Sequence, residues 1–180
     1  AKKVKGGIPG SDSQEGMWGN AFQEITPQGE VVWEWLGYEY MDPDIDIPCA
    51  LEPRTIWGYV NGMDTFPNGD IVASFRHLNR LLIIDRRTKI VKWRWGDWEL
   101  GHQHNPTVLG NGNILVFDNG FHRLSRGSHN CESYSRVLEV NSKTGRIEWE
   151  YTDPTKFRFF SALCSSAKRL PNGNTLICES

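Results

Sequence analysis

FPNGDIVASF, residues 66–75, recurs as LGNGNILVFD at 109–118 and as LPNGNTLICE at 170–179. Each copy passes from an apolar residue through Pro or Gly to Asn-Gly, then to a polar residue and alternating aliphatics. Asn-Gly between two extended runs signals a hairpin, and the two-residue type I′ turn it favours needs positive φ at both central positions. Three hairpins of one make imply a repeated unit.

A second motif interleaves with the first: FQEITPQGEVVWEW at 22–35, LLIIDRRTKIVKWRW at 81–95 and VLEVNSKTGRIEWEY at 137–151. Each has alternating aliphatics, a polar turn and a strand ending in Trp plus another aromatic. Joined in chain order, the two motifs make a four-stranded antiparallel meander. Units of roughly 40–60 residues with a recurrent Trp describe propeller blades. The expected fold class is therefore all-β, a β-propeller of four-stranded antiparallel blades, with Trp33, Trp93 and Trp149 packed between blades.

The chain holds the last two strands of one blade, two complete blades and the first two strands of another. That is about three blades, where propellers typically have 4–8. The expectation is a single domain over 1–180, or part of one, with repeats over 20–180 and a poorly ordered segment at 1–19. Further sequence, a partner subunit or a second copy in a homodimer would complete a six-bladed ring. Two insertions, 38–63 and 120–134, interrupt the repeats and are expected on one face. The first carries MDPDIDIP, whose Asp42, Asp44 and Asp46 read as a solvated loop, because the glycine and bidentate Glu of an EF-hand are missing.

Composition narrows the function classes. Twenty Lys and Arg against 22 Asp and Glu give a net charge of −2 with the signs interspersed, which offers no footprint for nucleic acid. No run of eighteen apolar residues exists, so membrane insertion by a helix is not expected, and AKKVKGGIPGSD lacks the apolar region of a signal peptide. Four cysteines (Cys49, Cys131, Cys164, Cys178) without CxxC spacing argue against a zinc ribbon. One or two disulfides, most simply through Cys131, and buried thiols both remain open.

In propellers the loops entering the innermost strands converge on the central channel. Upstream of the three Asn-Gly turns stand WGYVNGMDTF (57–66), GHQHNPTVL (101–109) and FSALCSSAKRL (160–170). His102 and His104 precede the second turn and share a face if the segment is extended. His77 and His122 follow the neighbouring strands and are candidates for the same cavity. One reading is a nucleophilic imidazole with Arg76, Arg80 or Arg94 holding an anionic group. Another is a metal-dependent lyase or hydrolase in which His77, His102 and His104 supply three imidazoles. A third gives these histidines only loop carbonyls to bond, in a non-catalytic propeller whose insertions dock another protein. A quinone-dependent dehydrogenase ranks last.

QHNPTVLGNGNILVFDNG with SRVLEV, SFRHLNRLLIIDRRTKIVKWRWG and SSAKRLPNGNTLICES resemble the bacterial arylsulfate sulfotransferase family of β-propellers over roughly residues 20–180. The resemblance implies a six-bladed ring, export to the periplasm or the extracellular space, and sulfuryl transfer from an aryl sulfate to a phenol through a sulfohistidine, without cofactor or metal. It implies His104 as nucleophile, His77 as a sulfate-binding or proton-transferring group and Arg94 as a charge-stabilising partner. Where another active-site histidine is implied, this chain has Tyr59 followed by Val60 and Asn61. Tyr59 joins the catalytic candidates as a hydrogen-bond donor or acid, with His102, Asn61, Arg80 and His122 as substrate-binding candidates.

Overall fold

The computed structural model describes residues 3–123 and 133–180. Strands β1 (Ala21–Ile25) and β2 (Val31–Leu36) form a two-stranded sheet. Then come β3 (Val60–Thr65), β4 (Ile71–Phe75), β5 (Arg80–Ile84) and β6 (Val91–Trp95), hydrogen-bonded in that order, and β7 (His104–Val108), β8 (Ile114–Asp118), β9 (Arg136–Val140) and β10 (Ile147–Tyr151), ordered likewise. A last two-stranded sheet pairs β11 (Ser166–Arg169) with β12 (Thr175–Cys178). All pairings between these strands are antiparallel. This is the expected all-β arrangement: two whole propeller blades flanked by two half-blades. The half-blades are separate sheets and do not pair with each other. Among the described residues no helix is long and apolar enough to cross a membrane.

The central strands read as unbroken apolar runs because each is buried on both faces. In β4, Ala73 and Phe75 face one side with Leu82 and Ile84 of β5, against Phe22 and Trp35 of the preceding half-blade. Val72, Leu81 and Ile83 face the other side, against Ile114, Val116 and Leu138 of the next blade. Leu115, Phe117 and Val137 then meet Phe159 and Ala167. The period-two alternation of a strand thus sends neighbouring side chains into successive inter-blade cores. Trp33, Trp93 and Trp149 pack against these three cores in turn. Their neighbours on the same strands make the polar link: Trp35 Nε1 donates to Lys89 O at 2.9 Å and Trp95 Nε1 to Gly145 O at 2.8 Å, each on the outer turn of the following blade.

The Asn-Gly hairpins differ from the expected turn. Only the glycine has positive φ, +86° at Gly69, +83° at Gly112 and +85° at Gly173, while none of the asparagines does. Gly69 N donates to Phe66 O and Phe66 N to Asp70 O, both at 2.8 Å, and the other two hairpins repeat the pattern. This is a three-residue loop, a type I turn closed by a left-handed glycine. Pro67 and Pro171 occupy the first loop position, where their fixed negative φ suits type I. Each asparagine accepts the N–H two residues on, as Asn111 Oδ1 does from Asn113 N at 3.0 Å, so the side chain supplies the turn that a backbone inversion was expected to make.

Two segments outside the blade strands make defined contacts. Residues 3–19 are anchored: Val4 is buried in the first core, Arg54 Nη2 donates to Val4 O at 2.8 Å, and Ile8 N to Glu52 O at 2.8 Å. The MDPDIDIP loop is also not wholly solvated. Asp46 is fully buried and takes a bidentate pair from Arg94, Nε–Oδ1 2.8 Å and Nη2–Oδ2 3.0 Å. A carboxylate can be buried here because a guanidinium meets both of its oxygens.

Candidate active site around Glu52

The first strands of the units, β3, β7 and β11, lie side by side. The loops entering and leaving them meet the insertion 38–63 at one acidic residue. Glu52 is 7% exposed. Its Oε2 lies 2.9 Å from His77 Nε2, and its Oε1 lies 3.1 Å from His102 Nε2, 3.4 Å from Arg76 Nη1 and 3.8 Å from His122 Nδ1. Cys49, one turn earlier, has Sγ 3.9 Å from His122 Nδ1. Cys49 N also donates to His77 O at 2.7 Å, which fastens the insertion to the 76–78 turn.

Each imidazole sits in a defined setting. His77 has acceptors at both ring nitrogens, Glu52 at Nε2 and the Ile56 carbonyl 3.3 Å from Nδ1. A neutral ring has one N–H, and the shorter contact assigns it to Nε2. Tyr59 stacks on His77, ring centroids 4.9 Å apart at 18°, and the Arg76 guanidinium lies 5.9 Å from the Tyr59 centroid. His102 is fully buried, and neither ring nitrogen makes a hydrogen bond among the described residues, its approach to Glu52 being out of line. Burial pushes His102 down to about 2, helped by Arg76 and the other histidines. Burial also holds His77, His104 and His122 below the usual imidazole range, against the pull of Glu52 on His77 and His122. Desolvation disfavours the charged ring in all four.

His102 and His104 do not share a face as an extended segment would require. His102 has φ +54° and Asn105 +51°, so the chain turns sharply on either side of His104. His102 goes to Glu52, while His104 Nδ1 lies 2.8 Å from Asn119 Oδ1. Gln103 between them is buried and locks the segment down. Its carbonyl accepts from Ser74 Oγ at 3.0 Å and Asn61 Nδ2 at 2.8 Å, and its Nε2 donates to Arg80 O at 2.9 Å. Left-handed φ at Tyr59, His102, Asn105 and His122 marks non-glycine backbone held by its surroundings, which is the form that stored strain takes at functional sites.

Asn119 has a fixed orientation. Its Nδ2 donates to Ser161 O at 2.8 Å and Cys164 O at 2.9 Å, so both N–H groups are spent and Oδ1 is the atom facing His104. His104 must then carry its proton on Nδ1, leaving a lone pair on Nε2. Asp118, fully buried, supports this loop. Oδ1 accepts from Gly101 N at 2.9 Å and Gly120 N at 3.2 Å, and Oδ2 faces Arg123 and Arg136, with Arg136 Nε at 2.9 Å.

The sequence-derived candidates thus fall into two groups. His77, His102, His122 and Tyr59 converge around Glu52 and Arg76, with His104 on the adjoining Asn119 and Asn61 on Gln103. Arg94 and Arg80 instead serve Asp46. Arg80 Nη1 lies 3.7 Å from Asp46 Oδ1, and its Nε 2.6 Å from Asp97 Oδ1. The histidines that approach a common point with metal-ligand donors are His102 and His122 with Cys49, a different set from His77, His102 and His104. Glu52, Cys49, Gln103 and Asn119 were not singled out by the repeats. Glu52 and Cys49 lie in the insertion, where no periodicity guides the eye, although the DNG following β8 was a visible signal for Asn119. Of the 120–134 insertion, residues 124–132, with Cys131, lie outside the described residues. Cys164 and Cys178 are exposed and form no disulfide. A wide cleft bounded by Lys5, Pro9, Met17, Tyr38 and Arg54 is lined by no histidine among the described residues.

The family model described as arylsulfotransferase (ASST) matches residues 10–100 and 97–180. No curated protein matches the sequence. Among solved structures, the chain is similar to a protein of unknown function from Bacteroides caccae, with TM-score 0.52 and 19% identity over 90% of this chain and 47% of that one. At that identity the likeness shows the fold. The chain spans about half the length of that relative.

Proposed function

The chain belongs to the arylsulfotransferase (ASST) family, and on that premise we propose that it moves a sulfuryl group from an aryl sulfate to a phenolic acceptor through His104. The observation that carries the reading is the Asn119 amide, whose orientation is set by two carbonyls and which therefore fixes His104 as the Nδ1–H tautomer. Nε2 attacks sulfur as the S–O bond to the aryl group breaks, and the phenolate leaves with the electron pair. The acceptor's oxygen then attacks the same sulfur, the S–N bond breaks, the acceptor's proton is lost to a base, and the neutral imidazole returns.

The sulfuryl oxygens carry negative charge throughout, so fixed donors aimed at them lower the barrier, as guanidinium clamps do in phosphoryl transfer. Arg76 is the guanidinium beside the histidines and the Tyr59 hydroxyl a neighbouring donor, while His77, whose Nε2–H is spent on Glu52, backs the Tyr59 ring by stacking. Burial supports the chemistry, since a neutral ring is the nucleophilic form. The same proposal includes completion of the ring by further blades, from additional sequence or a partner subunit, and action in the periplasm or outside the cell.

The test is intact mass spectrometry of the assembled protein before and after exposure to an aryl sulfate, followed by peptide mapping. A sulfuryl adduct on the peptide bearing His104, absent from His104→Ala, is expected. Unchanged turnover in His104→Ala would sink the role given to this residue.

A further inference from the structure

Cys49 Sγ, a ring nitrogen of His102 and a ring nitrogen of His122 all lie within 4.8 Å of one another. Cys49 Sγ is 3.9 Å from His122 Nδ1, and the two imidazole centroids are 4.5 Å apart at 66°. A tetrahedral ion with nitrogen at about 2.0 Å and sulfur at about 2.3 Å holds such donors roughly 3.3–3.6 Å apart, so each would close in by less than about 1 Å. The second observation is independent of this spacing. His102 is fully buried with both ring nitrogens lacking a hydrogen bond among the described residues, a condition buried polar groups rarely sustain without a ligand.

We propose that Cys49, His102 and His122 bind a transition-metal ion of the zinc class. One thiolate and two neutral imidazoles form a borderline-soft donor set that suits zinc or cobalt and not calcium or magnesium. Glu52 Oε1, 3.1 Å from His102 Nε2 and 3.8 Å from His122 Nδ1, stands where it meets the ion or a water on it. The Cys49 thiol gives its proton to solvent on binding, so affinity rises with pH. His77 and His104 lie outside the ligand set, being committed to Glu52 and Asn119. The ligand set uses neither His104 nor Asn119, and although Glu52 joins it to His77, the cobalt spectrum reads the site independently of sulfuryl transfer.

Cobalt(II) is the probe, titrated into the full chain after chelator treatment and removal of the chelator. One ion per chain is expected, with a thiolate-to-cobalt charge-transfer band and the intense visible bands of a tetrahedral centre, both lost on adding zinc. Cys49→Ser should abolish the charge-transfer band, and His122→Gln should weaken binding by more than about a hundredfold, beyond the roughly 10–100-fold that loss of an outer partner costs. Cys178→Ser, an exposed thiol away from the cluster, should bind as the parent does. If Cys49→Ser fails to fold, the His122→Gln titration decides. Absence of saturable binding, a charge-transfer band that survives Cys49→Ser, or unchanged affinity in His122→Gln would overturn the site.

Discussion

Asp118→Asn changes one atom's identity and almost no volume, so its cost isolates a charge. In the parent the carboxylate is fully buried, faces the guanidiniums of Arg123 and Arg136, and receives the N–H groups of Gly101 and Gly120. An amide still accepts on one side but turns two N–H donors toward groups that are themselves donors. Removing one partner of a buried ion pair costs about 3–5 kcal/mol, because the opposite charge stays buried without compensation. Here the lower end applies, since Arg136 Nη1 keeps Glu150 at 3.4 Å and Arg123 Nη2 keeps Tyr134 O at 3.0 Å. For a chain of this size about 3 kcal/mol corresponds to a fall in Tm of roughly 6–12 °C. Urea unfolding of parent and variant, with equal slopes, measures it directly. Because Gly101 precedes His102 and Gly120 follows Asn119, the variant should also lose activity at temperatures where it is still folded. A stability loss below about 1 kcal/mol would show that these guanidiniums are solvated without Asp118 and refute the reasoning.

Two other outcomes follow from local geometry. Gly112→Ala meets nothing within 4 Å and incurs only the left-handed backbone cost, about 1–2 kcal/mol, whereas Gly120→Ala, at φ +74°, places Cβ 1.9 Å from Tyr134 O and must shift backbone, so its urea midpoint should fall much further. Burial works to raise the Asp70 carboxyl, but Lys92, the Arg86 N–H and the Asn68 amide outweigh it and hold the group below the usual carboxylate range. Its folded pKa is thus below its unfolded one. The stability it contributes is present above about pH 4, the unfolded value, and is lost as pH falls through the folded value. Urea midpoints between pH 5 and 2 should decline more for the parent than for Asp70→Asn.

The blade architecture was legible because burial on two faces writes itself as unbroken apolar strands, and a meander repeats with its turns. Ile71 and Ile114 stand at matching positions of FPNGDIVASF and LGNGNILVFD, as do Val72 and Leu115, and the members of each pair sit in successive cores. The turn geometry was less legible, since Asn-Gly is shared by two turn types; Pro67 and Pro171 favour the one found, but the Gly110 hairpin adopts it without a proline. The site was half legible. Histidines are rare enough in this chain to be noticed one by one, and four of the five converge or adjoin. Which arginine meets them was not readable, because Arg76, Arg80 and Arg94 have equal claims in sequence and only the fold assigns Arg94 to Asp46. Glu52 was hidden for a related reason: an acid in an irregular insertion looks like any surface acid until the loop is folded inward.

The indole bonds that run from one blade's last strand to the next blade's outer turn bear on how the molecule comes apart. A propeller has only nearest-neighbour interfaces, so its cooperativity is carried by whatever couples adjacent repeats. Trp35 and Trp95 reach past the apolar cores and grip the backbone of a neighbour's loop, so that loop cannot open until the preceding blade releases it. Protection of amides in the 85–90 and 141–146 turns should therefore track the stability of the blade before them, and loosening would travel along the chain in one direction, as in a row of fastenings each closed by its predecessor.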